Sequence, residues 1–561
     1  AGTLAARYGY NGSHQPLAFT NALDDLTSFT YDGSNRLTSA SLPTGLFTTN
    51  VYDSDGRLAS VIDKDGAAGS AFRTNSYTWT NGLVLTHIDP RGAVSTHTYD
   101  ALGRLTQVGD DLGTVTNTYD KLDLIKTVDR MGFTRTNLYN SFRHVLRSAD
   151  ARGSTIIYDY CTCGQLDSMT DRAGNTTLYT YDNAGRRVTN CFDLAGQLIR
   201  VTDSAGVSVT NSYDSSGLLL SATTANGQLL GASHDVLSRT LQSTDANGVT
   251  VTNLFDALGR VFVRGLQATN SMEGFAWSAR GLLRYTNQLG HVTSNGYDAL
   301  GRKVGETNAN SEAVRFAYAP GGELLTLTDG KNQVTTWKYD LFGRNTNKAD
   351  NLGTNLFVYR YDANGRLTYR WTPAKGDTGY TNDPNGNITF INYPNSHDIT
   401  LSYDANDRLT NMIDDVGTSR FTYTSFGALL SEDGPWDSDT VTYDYTTNRL
   451  RKSLTLGQPN ASDWVQTYAY DLANRLTNTT SGAGGFSYAY ASVGQASSPA
   501  HLINKLTLPS GAYITNAFDP VARLVSTTLK NSSNSPLNAH SYELNAAHQR
   551  TKQTRYDNSF A

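Results

Sequence analysis

The chain has 561 residues, a formal net charge of −5 and three cysteines, with charged side chains making up 17% of it. So small a charge on so long a chain gives no electrostatic ground for nucleic acid or acidic membranes as partners. Three cysteines cannot staple a chain of this length, which excludes a disulfide framework, and no apolar run approaches the roughly 18 residues that span a bilayer.

The opening stretch AGTLAARYGYNGSHQP has no initiator Met and no signal-peptide pattern, and reads as repeat material. We therefore expect an internal or processed part of a longer protein. An aromatic followed by Asp, and usually by Gly-Arg, then recurs along the chain. Tyr31-Asp32 leads to Asn35-Arg36-Leu37, and Tyr52-Asp53 to Gly56-Arg57-Leu58. Tyr99, Tyr119, Tyr139, Tyr160 and Tyr181 follow at steps of 20, 20, 21 and 21. After one step of 11 the series resumes at Phe192, Tyr213, His234, Phe255, Trp277, Tyr297, Tyr318, Tyr339 and Tyr361. Asn382, Tyr403 and Tyr423 continue it at 21, 21 and 20. So regular a period is an architecture.

Each repeat carries a second turn signal near its middle. Examples are Asp110-Asp111-Leu112-Gly113, Asp129-Arg130-Met131-Gly132, Asp171-Arg172-Ala173-Gly174, Asp203-Ser204-Ala205-Gly206 and Asp245-Ala246-Asn247-Gly248. One period is therefore strand, turn, strand, turn, with strands of about 6 to 7 residues. The step of 11 is the loss of one strand and one turn. Thr, Val, Tyr, Leu and Asn in loose alternation, as in GTVTNTYD and GVTVTNLFD, suit strands and fit a helix badly.

The sharpest turns are Tyr99, Asp100, Gly103, Arg104; Phe255, Asp256, Gly259, Arg260; Tyr297, Asp298, Gly301, Arg302; and Tyr361, Asp362, Gly365, Arg366. The pentapeptide DALGR is verbatim in the first three. Asp first and Gly fourth are type I turn preferences, with Gly free to take positive φ and the carboxylate free to accept a backbone N–H two residues on. These residues read as structural. Tyr ends one strand and Arg begins the return strand, which predicts a guanidinium stacked on the phenol of its own hairpin. Residues 1–423 form the regular repeats. Residues 424–561 continue the same sheet less regularly, and TTSGAGGFS and KNSSNSPLN read as protruding hairpins or loops.

Cys161 and Cys163 read as lying on one face of a strand, a half-site for a thiophilic metal without a second ligand pair at suitable spacing. Free thiols packed as small hydrophobes is the favoured reading, over a bridge to Cys191 or a metal. Neither His-Glu-x-x-His, Gly-x-Ser-x-Gly, a phosphate loop nor Cys-x-x-Cys occurs. Asp at nearly every turn puts some carboxylate pairs at glycosidase distance by chance. The turns YDSDGR and DKDG lack the twelve-residue calcium loop and its closing Glu. Sequons at Asn11, Asn175, Asn387, Asn460, Asn478 and Asn531 arise from composition. No catalytic, cofactor-binding or metal residue is assigned, and no cofactor is expected.

Tyr-Asp-x-x-Gly-Arg-Leu at about 21 residues, over nearly the whole chain, resembles the YD repeats of the RHS (rearrangement hot spot) family. The resemblance implies an all-β fold, a YD-repeat β-hairpin spiral forming a hollow, β-solenoid-like shell or barrel. It further implies a non-enzymatic shell that encapsulates or presents a polypeptide cargo such as a C-terminal toxin. Teneurins and insecticidal toxin complexes use similar barrels. An extracellular or cell-surface location follows from the same resemblance. Cargo-enclosing members carry a self-cleaving core with Asp-Pro-x-Gly-Leu after the repeats. Here Asp89-Pro90-Arg91-Gly92 and Asp383-Pro384-Asn385-Gly386 sit in repeat turns, and Asp519-Pro520 lacks the Gly. None is carried over as a cleavage site, and TRYDNSFA at the end is repeat-like, so plug and cargo are absent or lie outside this segment. Two other readings stand beside the shell. One is a surface adhesin or extracellular fibre that binds a cell-surface carbohydrate or protein and can assemble end to end. The other is a carbohydrate-active enzyme on a β-solenoid. None involves nucleic acid or membrane insertion.

Overall fold

The computed structural model describes residues 6–180, 190–193, 195–202, 206–224, 227–269, 271–491 and 501–556. Residues 181–189, which hold Tyr181 and most of the half-step after it, Asp203-Ser204-Ala205, the first five residues and the last five lie outside the described residues. Every regular element described is a strand, 51 among the described residues. They form one ladder from Ala6 to Leu178 and a second from Asn190 to Arg555. The fold class is all-β, a YD-repeat spiral of antiparallel hairpins.

Strands pair with their neighbours in sequence, so the ladder grows one hairpin at a time. In each repeat hairpin the register slips by one residue beside the aromatic. Tyr31 pairs with Leu37 but Thr30 with Ser39, which leaves Thr38 as the extra residue. The same slip occurs at Tyr52, Tyr99, Tyr119, Tyr213, Tyr297 and Tyr361. A bulge bends its strand and increases the local right-handed twist. The bulge beside the aromatic lies on the return strand, and a few repeats carry a second slip near the mid-repeat turn, as at Asp63 and Ala349.

The chain divides into two compact units. The first comprises residues 1–178, 276–284 and 293–416, and the second 179–275, 285–292 and 417–561. Neither unit has a conventional core. Among the described residues the buried apolar side chains are Ala299, Ala349 and Val521, while Thr20, Ser39, Asp63, Asp150, Ser271, Asn295 and Thr378 are buried polar ones. Large apolar side chains stay at the surface, Phe142 at 79% and Leu102 at 67% exposure. Burial alternates along single strands, as in Val94–Tyr99, with Ser95, His97 and Tyr99 on the half-covered face. The sheet is held by its ladder and by contacts along its edges.

Three expectations are corrected here. TTSGAGGFS is a tight hairpin inside the ladder, with Ser481 paired to Gly484 across two residues. KNSSNSPLN contains an ordinary repeat turn, closed by Asn534 N–H on Asn531 O and by Asn531 N–H on Ser535 O. Gly and Asn there supply turn conformations and do not lengthen loops. The cysteines differ more: Cys161 and Cys163 are joined in a disulfide, with Cα atoms 5.2 Å apart, and Cys191 is the free thiol. Both sit in a repeat turn, not on a strand, because Cys161 occupies the position of the repeat Asp. From that position a side chain folds back over the residue two places on, which brings the sulfurs together.

Candidate functional site

The repeat turn is built on a short backbone frame. At Asp100–Arg104 the Gly103 N–H donates to Asp100 O and the Asp100 N–H to Arg104 O, each at 3.0 Å. Gly103 has φ of 76°, a left-handed value that costs other residues about 1 to 2 kcal/mol. The Asp100 carboxylate closes the frame, with Oδ1 accepting from the Leu102 and Arg104 N–H groups and Oδ2 from Arg104 Nε at 2.7 Å. These bonds hold its pKa below the usual carboxylate value, the Arg104 side chain contributing most and burial opposing. Asp256–Arg260, Asp298–Arg302 and Asp362–Arg366 have the same arrangement, with Arg Nε on Asp Oδ2 at 2.8, 2.7 and 2.6 Å. Gly259, Gly301 and Gly365 take φ of 77°, 76° and 81°.

The stacking partner differs from the expected one. Arg104 stacks on Tyr119 of the next repeat, its guanidinium carbon 4.4 Å from the ring centroid. Arg36 over Tyr52, Arg239 over Phe255, Arg302 over Tyr318 and Arg344 over Tyr361 follow the same rule. The carboxylate clamp turns Arg away from its own Tyr, and that Tyr reaches back. Tyr99 OH donates to Val84 O, Tyr119 OH to Leu105 O, Tyr297 OH to Leu282 O and Tyr361 OH to Asn345 O. Each of these acceptors sits where the return strand begins, beside the bulge. Tyr and Arg therefore tie successive repeats together.

One contributor was missed from sequence. The Asn two residues before the aromatic donates to the same carbonyl: Asn50 and Tyr52 share Leu37 O, and Asn117 and Tyr119 share Leu105 O. Asn211 with Tyr213 and Asn295 with Tyr297 repeat the arrangement. The signal was present as Thr-Asn-x-aromatic-Asp in GTVTNTYD, where it reads as strand composition. Donors persist where the aromatic changes, with Trp79 Nε1 on Leu58 O and Asn382 Nδ2 on Leu367 O.

Within the first unit the mid-repeat turns meet repeat turns about 235 residues later. Asn364 Nδ2 donates to Asp129 Oδ2 at 2.9 Å, Asn385 to Asp150 at 2.8 Å and Asn406 to Asp171 at 2.9 Å, each pair 235 residues apart. Arg91 with Glu323 at 2.6 Å, and Arg280 Nε on Thr44 O, extend the seam. At its densest point Arg152 pairs with Asp407 at 2.7 Å and Arg172 with the buried Asp150 at 3.1 Å. Burial works against the charge of Asp407, but Asn385 and Asn387, then Arg152 and Arg172, outweigh it and hold its pKa low. In the second unit Ser271 Oγ donates to Ala546 O and the His501 N–H to Asn247 Oδ1, at separations of 275 and 254.

Asp89, Asp383 and Asp519, which precede prolines, each hold an ordinary turn through the N–H of Gly92, Gly386 and Ala522. Among the described residues no group of three or more His, Cys, Asp or Glu could hold a metal ion. The shallow depression beside Arg264, Glu273 and Ser271 has its charges engaged, Arg264 with Glu273 and Tyr285 OH with Glu273 Oε1.

Comparisons with known proteins agree with this geometry. The Teneurin YD-shell family model matches residues 321–506, and the RHS Repeat model matches 79–115 and 192–229. Double-stranded DNA deaminase toxin A of Burkholderia cenocepacia (strain H111) is 28% identical over 181 residues, 32% of this chain and 12% of that protein. Teneurin-3 of Mus musculus is 28% identical over 175 residues, 30% of this chain and 6% of that protein. The chain thus spans a small part of the curated relatives it matches. The crystal structure of TcdB2-TccC3 superposes on 99% of this chain and 40% of its own, with a TM-score of 0.61 and 13% identity. Its form without the hypervariable C-terminal region gives the same TM-score at 11% identity and 41% of its own length. The likeness is therefore one of fold and resides outside that region. By repeat, turn and fold alike, the chain is similar to the RHS repeat and teneurin YD-shell proteins, whose family models match residues 79–115, 192–229 and 321–506 of it.

Proposed function

We propose that the chain is a wall segment of a non-enzymatic shell that encloses or presents a polypeptide cargo such as a toxin. One observation carries this reading: two ladders with 51 described strands between them bury seven polar and three apolar side chains among the described residues. A wall of this kind is stabilised edge to edge and leaves a face of Thr, Asn and Tyr. Such a face offers a cargo hydrogen bonds through its Thr, Asn and Tyr side chains. The seam of Asn–Asp bonds supports the same reading, since a container needs its successive windings joined. One relative is named a toxin, and the fold likeness to TcdB2-TccC3 is unchanged by removal of a hypervariable C-terminal region. A secreted or cell-surface location goes with this reading.

The test is electron cryo-microscopy of the protein together with limited proteolysis. Expected is a space bounded by the sheet, with a segment that resists protease until the wall is opened by denaturant. An interior filled by ordered side chains of the wall itself would refute the container.

A further inference from the structure

We propose that the Cys161–Cys163 bridge is a thiol–disulfide exchange site whose substrates are low-molecular-weight thiols and dithiols. The turn does not need the bridge to form. Gly164 N–H donates to Cys161 O and Cys161 N–H to Gln165 O, each at 2.9 Å, the same frame that closes Asp100–Arg104 without any disulfide. Closing so short a loop also removes little chain entropy, the smallest gain a disulfide can offer. A structural staple is therefore a poor account of it.

The position of Cys161 supplies the chemistry. In other repeats this place holds a carboxylate, as at Asp53 and Asp100, with the turn's N–H groups aimed at an anionic oxygen, and in the preceding repeat the Asn140 amide oxygen accepts the same bonds. Here the Gln165 N–H points at Cys161 Sγ, 3.3 Å away. Gln165 stands where Arg stands in DALGR, so no guanidinium clamps the sulfur. A turn shaped to hold a negative charge is thus prepared for the thiolate that leaves when the bridge opens. Cys163 is exposed at the turn tip while Cys161 is half-buried, which fixes the direction of attack. Beside the bridge lies an open depression of about 590 Å³ lined by Asn140, Phe142, His144 and Tyr160. His144 stacks on Tyr160 with ring centroids 4.6 Å apart, and its Nδ1 is buried without a hydrogen-bond partner. That depression offers a small thiol an aromatic wall and an unused polar group.

The step balances as an exchange. The incoming thiolate attacks Cys163 Sγ and forms a new S–S bond, while the old bond's electron pair leaves on Cys161 Sγ. With a dithiol, its second thiolate attacks the mixed disulfide, and Cys163 departs as a thiolate that takes a proton. The bridge gains two electrons, and the dithiol loses two as it becomes a disulfide.

The test uses the full chain with Cys191→Ser, and glutathione and dithiothreitol as probes. In glutathione buffer, Cys161→Ser is expected to trap the adduct on Cys163 at least about ten times more than Cys163→Ser traps it on Cys161, read by mass spectrometry. Dithiothreitol is expected to reduce the bridge at least about ten times faster than it reduces oxidised glutathione. Cys161→Asp, which restores the repeat residue, is expected to keep the parent's thermal transition with no exchange. Equal trapping on the two sulfurs, or reduction no faster than that of oxidised glutathione, would overturn the proposal. So would a fall in melting temperature on reduction, since the bridge would then be a staple.

Discussion

At the scale of single residues, the recurring Asp is a ligand for its own turn. Asp100 and Asp235 are held below the usual carboxylate range, in both cases chiefly by the hydrogen bond from the Arg four residues on. A lowered folded-state value means that folding favours the charged form. Its contribution is complete above about pH 4 and is lost as pH falls through the lower folded value. Amide exchange at residues 100–104 and 235–239, corrected for intrinsic rate, is therefore expected to speed up as pH falls below about 4. Unchanged protection over that range would count against the carboxylate as the clasp. Ala522 offers a second test, because it holds φ of 64° in the place where most turns have Gly. Relief of the left-handed penalty, less the entropy Gly adds to the unfolded chain, predicts a gain of about 0.5–1 kcal/mol for Ala522→Gly. Exchange in the 519–523 turn would report it.

At the scale of the hairpin, the bulge decides which groups remain to be satisfied. The ladder between Ser39 and Thr49 does not extend outward to Leu37, and the Leu37 carbonyl is taken by Asn50 and Tyr52. In the equivalent pair, Tyr119→Phe or Asn117→Ala alone leaves Leu105 O one donor and costs about 0.5–1.5 kcal/mol. Both together strand the carbonyl, so the double variant is expected to exceed the sum by about 1 kcal/mol. Strict additivity, read by exchange in the adjoining strands, would mean that water replaces the lost donors. The period and the turn were legible in sequence because Asp, Gly and the aromatic act within five or six residues. The direction of the Arg stack was not, since it depends on the Asp carboxylate holding Arg away from its own Tyr and on which ring of the next repeat then lies beside it. Cys161 was misread for a related reason: strand alternation was applied to a residue that stands at the first place of a turn.

At the scale of the molecule, stability in a repeat array comes from neighbours, and here each unit has neighbours of two kinds. The hairpins beside it in sequence form the ladder, while the hairpins about 235 residues away form the seam. Substituting Asn364, Asn385 and Asn406 together by Ala is expected to speed exchange at residues 129–132, 150–153 and 171–174, with the strands between them unchanged. Loss of protection throughout the ladder would show that seam and ladder are one cooperative unit. The seam could not be read from sequence, because Asn in a turn and Asp in a turn are each locally sufficient. Only the winding brings them together.

The antiparallel ladder also imposes a rule of parity. In the first ladder every second strand ends on or beside the repeat aromatic, from Tyr10, Tyr31 and Tyr52 to Tyr139 and Tyr160, so all these turns lie along one edge. The opposite edge carries Asp129, Asp150 and Asp171, the acceptors of the seam. A few residues added within a strand or a free turn leave that division intact, and so does a duplicated whole repeat. A single strand gained or lost exchanges the two edges for everything downstream, and the step of 11 residues after Tyr181 is one such change in this chain. Within the first ladder, by contrast, the seam edge is kept because strands are added in pairs, which makes the hairpin the unit in which that ladder grows.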